Sequence, residues 1–363
     1  MKPIDLGALG LTDQEIDHRV VAYSESFARL IRQDPPRQLG VPTQYLAMLA
    51  VARGDQDSAE TLARYMQQEA DHIFDSMMTL WLSELLDYAG ETLGLSQFAT
   101  LMRVPRLHLW ASLQRVGNDF VAEAIAALRA GDTTTFDVGL SHARRVYKTM
   151  GDETVKFIQD ILTQVAEAEG SDGPAAAMRE PYEHIWRRRY STWESLTGEE
   201  RLQLSCEGMR AHYGGPTRQG EFRVIDEGIR YRMTFAGCGT GGVLRRGDPE
   251  TGEGPYPTGG IVRTPKPYSW GQTGMPWYCV HCSLYLEHWP VAEEGVNRRP
   301  VIFVDGEGSP VTTEWLVYKD LADTEAEDYL RIWASPPARS AESSSAGTHV
   351  SLPASPPTRI SDP

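Results

Sequence analysis

The residues best suited to chemistry are four cysteines, which all lie between positions 206 and 282 of the 363-residue sequence. Cys238 sits in a glycine-rich segment, and Cys279 and Cys282 lie on either side of a valine and His281. His288 follows Cys282 after five intervening residues. Thiolate and imidazole are preferred ligands of tetrahedral zinc. The spacing therefore predicts a metal or redox centre in this part of the chain.

The predicted zinc site takes three ligands from cysteines and leaves the fourth undetermined. Cys279 and Cys282 can bind one ion from a single turn. Cys238 is a plausible third ligand, because neighbouring glycines let backbone amides approach a thiolate. His288 is the favoured fourth ligand, since His281 lies between the two paired cysteines and would point away from an ion that they share. His281 stays an alternative.

Cys206 is a further candidate, which would complete a four-cysteine site. It shares a predicted helix face with Leu202 and Met209. A buried cysteine that packs as a small apolar side chain explains this position without a metal. The sequence leaves open whether His288, His281 or Cys206 completes the site.

A zinc ion at this site would be either structural or catalytic. A closed four-ligand site stabilises a loop-rich domain, whereas a catalytic site keeps one position for water. Glu287, His281 or His288 is the candidate acid or base, and an exposed surface glutamate is the alternative for Glu287. The surrounding aromatic residues either line a pocket for a planar ligand or form the core of a small domain. They are Trp270, Trp277, Tyr278, Tyr285 and Trp289.

A redox role is another interpretation of the same segment. Tyr278-Cys279-Val280-His281-Cys282 resembles the Cys-Pro-His-Cys active site of bacterial thiol oxidases, in which a histidine lowers the pKa of the attacking thiol. The resemblance implies Cys279 as the nucleophile and Cys282 as the resolving thiol. It covers this short segment alone, and no thioredoxin-like fold is inferred from it.

The helical half of the sequence contains one candidate site for iron. Glu69 interrupts an apolar helix stripe, and His72 follows three residues later. Carboxylate-bridged di-iron proteins place two ligands on one helix face by this spacing. The sequence lacks a second Glu-x-x-His, so a buried, hydrogen-bonded Glu69 or a rotated helix that exposes both groups is the alternative.

Hydrophobic periodicity indicates which elements must position these residues. Residues 10–168 read almost continuously as helix, because apolar residues recur at three- and four-residue steps. Asp132 is placed to cap the start of one helix, and Gly90 is placed to end another. The predicted helices cover 13–32, 43–52, 58–89, 105–131 and a long segment from 133.

The period changes after a break at 170–174. A helix over 198–212 is followed by residues that alternate between apolar and polar, which predicts strands. Two hairpins are expected, one from 222–225 with 229–235 and one from 301–304 with 313–318. From 335 to 363 the chain is rich in Ser, Pro and Ala, and we expect a disordered tail.

These patterns predict an α+β protein. An N-terminal all-α helical bundle, 1–170, precedes a smaller antiparallel α+β domain, 175–334, which carries the Cys/His metal site. A length of 363 residues supports two domains, because single cores stop growing well below that size. The helical half is expected to contact partners, form a homodimer or line one wall of a pocket at the domain boundary.

Composition excludes several classes of function. The formal net charge of −15 argues against a nucleic-acid partner, because phosphate neutralisation needs clustered Lys and Arg. No apolar run reaches the length of a membrane span, and no signal peptide follows Met1. A cytoplasmic protein without a membrane partner is therefore expected, and in a reducing compartment cysteines at this spacing indicate metal binding or catalysis.

Three functions follow from the sequence. The favoured one is a zinc-dependent enzyme, a hydrolase or lyase, acting on a small molecule with zinc held by Cys238, Cys279, Cys282 and a histidine. The second is a non-enzymatic sensor or interaction protein with a structural zinc. The third is a thiol-disulfide oxidoreductase that uses Cys279 and Cys282.

Overall fold

A computed structural model describes residues 4–74, 78–103, 106–235, 237–256, 259–304 and 312–334. Within them the chain forms fifteen α-helices, two π turns and two small antiparallel sheets. The predicted α+β class is confirmed at this level. The predicted tail, 335–363, and the tip of the second hairpin, 305–311, lie outside the described residues.

The first half of the chain is dominated by helices that pack in antiparallel pairs. The most extensive helix–helix contact joins α6 to α7, and α2 packs along α3. These helices are α1 (Leu6–Leu9), α2 (Thr43–Ala52), α3 (Gln56–Ile73), α4 (Thr79–Thr92), α5 (Leu95–Met102), α6 (Arg106–Arg129) and α7 (Thr133–Glu169).

Shorter helices fill the second half. They are α8 (Gly173–Ala177), α9 (Arg179–Pro181), α10 (Arg187–Trp193), α11 (Gly198–Ala211), α12 (Thr240–Arg246), α13 (Val280–Ser283), α14 (Trp289–Glu294) and α15 (Ala326–Leu330). Two π turns, Tyr182–Trp186 and Leu284–His288, continue into α10 and α14 without a break. A π turn widens the helix by one residue and commonly marks a functional region.

Side-chain caps set where the main helices begin. The carboxylate of Asp132 accepts a hydrogen bond from the amide of Thr135 at the start of α7, as the sequence predicts. Asp55 caps α3 in the same way through the amide of Ser58. Each cap satisfies an amide that has no partner inside its helix.

The predicted helix over 13–32 is wrong. The structure places a two-stranded hairpin there, with β1 (Val21–Ser24) paired antiparallel to β2 (Arg29–Arg32). The pairing register brings Ala22 opposite Ile31 and returns the chain at Ala28, whose backbone φ is +51°. The N-terminal half is therefore not all-α, because tertiary pairing outweighs the weak helical pattern of this segment.

The second sheet has four antiparallel strands in the order β3-β4-β6-β5. Its strands are β3 (Arg223–Asp226), β4 (Arg230–Phe235), β5 (Val301–Val304) and β6 (Thr312–Tyr318). Both predicted hairpins form, and β4 alternates between half-buried and buried residues. In the register, Trp315 of β6 lies between Met233 and Val301. This register fixes the sheet face that meets the helices.

Buried ion pairs join α7 to the segment before β3 and to the loop that follows α12. Both Nη atoms of Arg218 donate to the carboxylate of Asp152, at 2.9 and 2.6 Å. Lys148 and Arg144, also buried on α7, pair with Asp248 and Glu250 respectively. Since a buried charge needs a partner, these contacts fix the loop 248–253 against the long helix.

The apolar side chains of both halves form one contiguous buried cluster that runs from Ile4 to Ile332. The boundaries at 170 and 175 stay predictions. None of the helices in the described part of the chain combines the length and apolar character that a membrane crossing needs.

Candidate functional site

A cavity of about 300 Å³ lies where α3, α4, α10 and α11 meet the four-stranded sheet. This volume is at the small end of the range for ligand sites, roughly 300–1,000 Å³. Its walls combine aromatic rings, thiols, imidazoles and guanidinium groups. The residues that matter for chemistry are Arg29, His72, Trp81, Trp186, Arg189, Tyr190, Trp193, Ser205, His212, Cys238, Tyr278, His281, Cys282, Arg299 and Trp315.

The Cys-Val-His-Cys segment forms a short helical turn on one wall. Pro276 precedes the turn Trp277–Cys279, which continues as α13. Cys282 is half-buried and lines the cavity. Cys279 is buried behind it against Gly241, where an added Cβ would lie 2.7 Å from the sulfur. The two cysteines of the motif therefore face different surroundings.

His281 lines the cavity with one ring nitrogen fixed. Its Nδ1 lies 2.6 Å from the carbonyl oxygen of Tyr278, and since a carbonyl can only accept, Nδ1 carries the proton. Nε2 is then an acceptor, and it lies 3.4 Å from the Sγ atom of Cys282. Burial lowers the pKa of His281 to about 4, so the ring is neutral at physiological pH.

His212, at the end of α11, is held in the same way. Its Nδ1 donates to the carbonyl oxygen of Gly208, one helical turn earlier. Burial lowers the pKa of His212 to about 4 as well. The cavity thus holds two neutral imidazoles whose Nδ1 protons are engaged by backbone carbonyls, which leaves their Nε2 lone pairs available.

The surroundings of Cys282 disfavour its thiolate form. Burial raises the pKa of Cys282 well above its usual value, and the neighbouring sulfurs of Cys238 and Cys279 raise it further. Arg299 acts in the opposite direction on the same thiol. Cys206 lies in the core on α11, as its helix-face position indicates, and burial raises its pKa to about 12.

Arg299 carries a charge that no carboxylate neutralises within the described residues. Its Nη1 donates to Ser205 Oγ at 2.9 Å, and its Nε is buried without a hydrogen-bond partner there. The guanidinium lies 4.0 Å from the ring centre of Trp315 and 5.3 Å from that of Trp193. Burial lowers the pKa of Arg299. The two cation–π contacts stabilise this charge, but they do not neutralise it as an anionic partner would.

No aspartate or glutamate is among the described residues that line the cavity, although the sequence contains 50 acidic residues. Arg29 is neutralised from outside the lining by Glu207, whose carboxylate also accepts from Tyr65. Arg189 adds another guanidinium to the wall. The cavity is therefore cationic and aromatic inside an acidic protein.

Glu287, the candidate acid or base, is not the exposed surface residue that the alternative interpretation describes. It is fully buried away from the cavity lining and accepts hydrogen bonds from Trp270 Nε1 at 2.9 Å and from the amide of Val301 at 3.0 Å. Asn297 Nδ2 lies 3.4 Å from its other oxygen. Burial raises the pKa of Glu287 to about 8. These contacts give Glu287 a structural position between three segments.

His288, the favoured fourth metal ligand, is half-buried in the π turn and is absent from the described cavity lining. Cys238 and Cys282 are in that lining together with His281. Within the described residues, no three Cys, His, Asp or Glu side chains are arranged to hold a metal ion. Zinc binding therefore stays a prediction from the sequence.

The two residues of the predicted iron site are engaged separately. The carboxylate of Glu69 is buried and accepts from Arg210 Nε at 2.7 Å and from Thr43 Oγ1 at 2.6 Å. His72 lines the cavity instead. Glu69 is thus the buried, hydrogen-bonded group that the alternative interpretation describes.

Most of the aromatic residues near the cysteines form core. Trp270 stacks on Phe303, and Tyr285 packs 4.3 Å from Trp186 by ring centres. Of the five aromatic residues singled out in the sequence, Tyr278 is the one in the described cavity lining. The cavity takes its tryptophans from elsewhere, namely Trp81, Trp186, Trp193 and Trp315.

No family model, curated protein or solved structure matches this chain significantly. The function is therefore inferred from the site itself.

Sequence reasoning missed Arg299 and His212 as site residues. Arg299 follows Arg298 directly, and that neighbour is paired with Glu194 and Glu294. Nothing in the local sequence separates an unneutralised arginine from a paired one, since the difference depends on distant segments. His212 carries a weak signal, because it ends a predicted helix whose last carbonyls need donors.

Proposed function

We propose that this protein binds a small organic anion with a flat apolar body, such as an aromatic carboxylate, in the cavity around Arg299. The observation that carries the proposal is a buried guanidinium with no carboxylate partner among the described residues, in a cavity lining without acidic side chains. A buried charge left unpaired costs several kcal/mol, roughly, so an anionic ligand would gain what the protein itself does not supply.

The shape of the site supports a planar ligand. Trp193 and Trp315 both make cation–π contacts with the guanidinium. The cavity lining also contains the aromatic rings of Trp81, Trp186 and Tyr190. Flat rings stack on such surfaces, and a carboxylate can accept two parallel hydrogen bonds from one guanidinium. The cavity volume of about 300 Å³ favours a ligand with one or two rings.

Calorimetric titration with matched ring compounds tests the proposal. We expect benzoate or 2-naphthoate to bind, whereas the corresponding amide and amine, which lack the negative charge, bind at least ~10-fold more weakly. The factor follows from a charge-assisted hydrogen bond worth about 1.5–3 kcal/mol. None of these compounds need be the natural ligand.

The variant Arg299→Gln should reduce carboxylate affinity by about 10- to 100-fold for the same reason. Arg263→Gln is the matched control, because it makes the same charge change at an exposed position outside the cavity. Equal affinities for acid and amide, or an Arg299→Gln variant that binds like the control, would overturn the anion site.

The zinc-dependent enzyme, the interaction protein with a structural zinc and the Cys279/Cys282 oxidoreductase stay separate predictions. The anion proposal needs no metal and no disulfide. It gives the first of these functions a substrate class, and metal analysis decides whether zinc takes part.

A further inference from the structure

The cavity also contains a thiol placed for covalent chemistry. Three of the four cysteines are buried, and Cys282 is half-buried at the cavity wall. A nucleophile must be reachable by its substrate and close to a group that takes its proton. Cys282 meets the first condition through the cavity and the second through His281.

His281 is oriented as a proton acceptor. The bond from its Nδ1 to the carbonyl oxygen of Tyr278 leaves Nε2 unprotonated, and Nε2 lies 3.4 Å from the Cys282 sulfur. Sulfur hydrogen bonds are longer than those of oxygen, so this distance is compatible with an S–H donor pointing at the ring. Cys282 as the nucleophile, His281 as the base and the Tyr278 carbonyl that orients the ring thus contact one another in the order that thiol enzymes use.

Arg299 lines the same cavity as this pair. Its charge lowers the pKa of both Cys282 and His281, so the guanidinium lies within electrostatic reach of both. Other titratable or charged groups lie around the pair, from several elements. They are Cys238, Cys279, Glu287, Tyr190, His212, His72 and Arg189. Glu287, the carboxylate among them, is outside the described cavity lining.

We propose that Cys282 is the nucleophile of the cavity, that His281 takes its proton, and that Arg299 orients a carboxylate-bearing substrate whose electrophilic carbon meets the sulfur. This inference rests on the anion site proposed above and adds the reaction to it. Cys282 is a catalytic residue in this scheme, and Arg299 binds the substrate.

The step is a substitution at carbon. The sulfur of Cys282 forms a bond to the electrophilic carbon, and the bond from that carbon to its leaving group breaks. The leaving group departs with the electron pair, and the thiol proton passes through His281 Nε2 to it. At an acyl carbon, water then attacks the thioester, releasing the acid and the free thiol. The co-reactant is water, and no oxidant is needed.

Alkylation with iodoacetate and iodoacetamide tests the proposal on the full chain. Both reagents transfer a two-carbon group to sulfur and release iodide, and the thiol proton passes through His281 to solvent. Iodoacetate is an anion, whereas iodoacetamide is neutral. Peptide mass spectrometry identifies the labelled cysteine, and glutathione treated in parallel gives the ratio of the two rates for a thiol without a cation beside it.

We expect label on Cys282 before the other three cysteines. The iodoacetate-to-iodoacetamide rate ratio should be about tenfold higher for Cys282 than for glutathione, and Arg299→Gln should return it to the glutathione value. His281→Gln removes the acceptor that lies 3.4 Å from the sulfur, so labelling of Cys282 at pH 7 should slow by roughly 100-fold with both reagents, while the ratio of the two rates stays raised.

The two proposals fail in different ways. Fast label on Cys282 with a glutathione-like ratio would remove the anion site and keep the nucleophile. A raised ratio at a labelling rate that His281→Gln leaves unchanged would remove His281 as the base. Label on Cys238 first, or an unlabelled Cys282, would overturn the assignment of the nucleophile. Cys282→Ser, which lacks the reactive sulfur, is the control for peptide identification.

Discussion

Glu287 should make the free energy of unfolding fall as pH rises. The folded protein holds its carboxyl with a pKa of about 8, against 4.5 for an exposed glutamate. Between these values the folded state keeps the proton and the unfolded state does not. Stability from this group is therefore complete below pH 4.5, is lost as pH approaches 8, and is constant above.

The size of this effect follows from the shift of 3.5 pH units, 8 minus 4.5. At 1.36 kcal/mol per unit the loss is about 5 kcal/mol, and about 2 kcal/mol of it falls between pH 6.5 and 8. His281 and His212 contribute the opposite sign, since their pKa values of about 4 in the folded state lie below 6.5. Their effect fades within about one pH unit above 6.5 and is common to wild type and a Glu287 variant, so the difference between the two proteins reports Glu287.

Urea denaturation of wild type and Glu287→Gln at pH 6.5, 7, 7.5 and 8 measures this slope. The amide keeps an oxygen for the donors Trp270 and Val301, so the variant should fold and lose the slope. Glu91→Gln, the same change at an exposed position of α4, should keep it. Equal slopes in wild type and Glu287→Gln would refute the buried-proton argument.

Three further outcomes are expected. Arg218→Met breaks the buried pair with Asp152 and should cost about 3–5 kcal/mol of unfolding free energy in urea denaturation, whereas a loss below 1 kcal/mol would contradict a buried pair. Gly40→Ala places a Cβ 1.8 Å from the carbonyl oxygen of Phe222 and should lower stability by at least ~1–3 kcal/mol. The control Gly254→Ala has open space around its Cβ and should leave stability unchanged. Similar melting temperatures of the two variants would refute the clash. The zinc prediction expects about one zinc per chain by plasma mass spectrometry; a metal-free protein with four titratable thiols would refute it.

Local patterns in the sequence were enough for elements whose signals are local. The helix Thr43–Ala52 and the cap at Asp132 have the predicted bounds and role, because periodicity and capping act within a few residues. The hairpin of β1 and β2 was missed, since its pairing competes with a weak helical pattern and gains from packing against α3. The local sequence of such a segment does not show which distant segments will pack against it.

In the candidate site, too, the residues with a local sequence signal could be predicted and those placed by distant segments could not. Cys282 and His281 stand out by type and spacing, and both line the cavity. The place of Glu287 depends on Trp270 and Asn297, which supply its donors from other segments. Arg299 reaches the cavity because β5 and β6 pair in one register, which sequence spacing does not reveal.

The described lining of the cavity contains no carboxylate although the chain has a net charge of −15, and this contrast has a kinetic consequence. An approaching anion is repelled by the protein as a whole, over a Debye length of about 8 Å at physiological ionic strength, and is attracted at the cavity itself. Salt screens the long-range repulsion more than the close contact, so association should become faster as salt is added. The repulsion grows with ligand charge. The association rate should therefore be higher for monoanions than for polyanions of similar size.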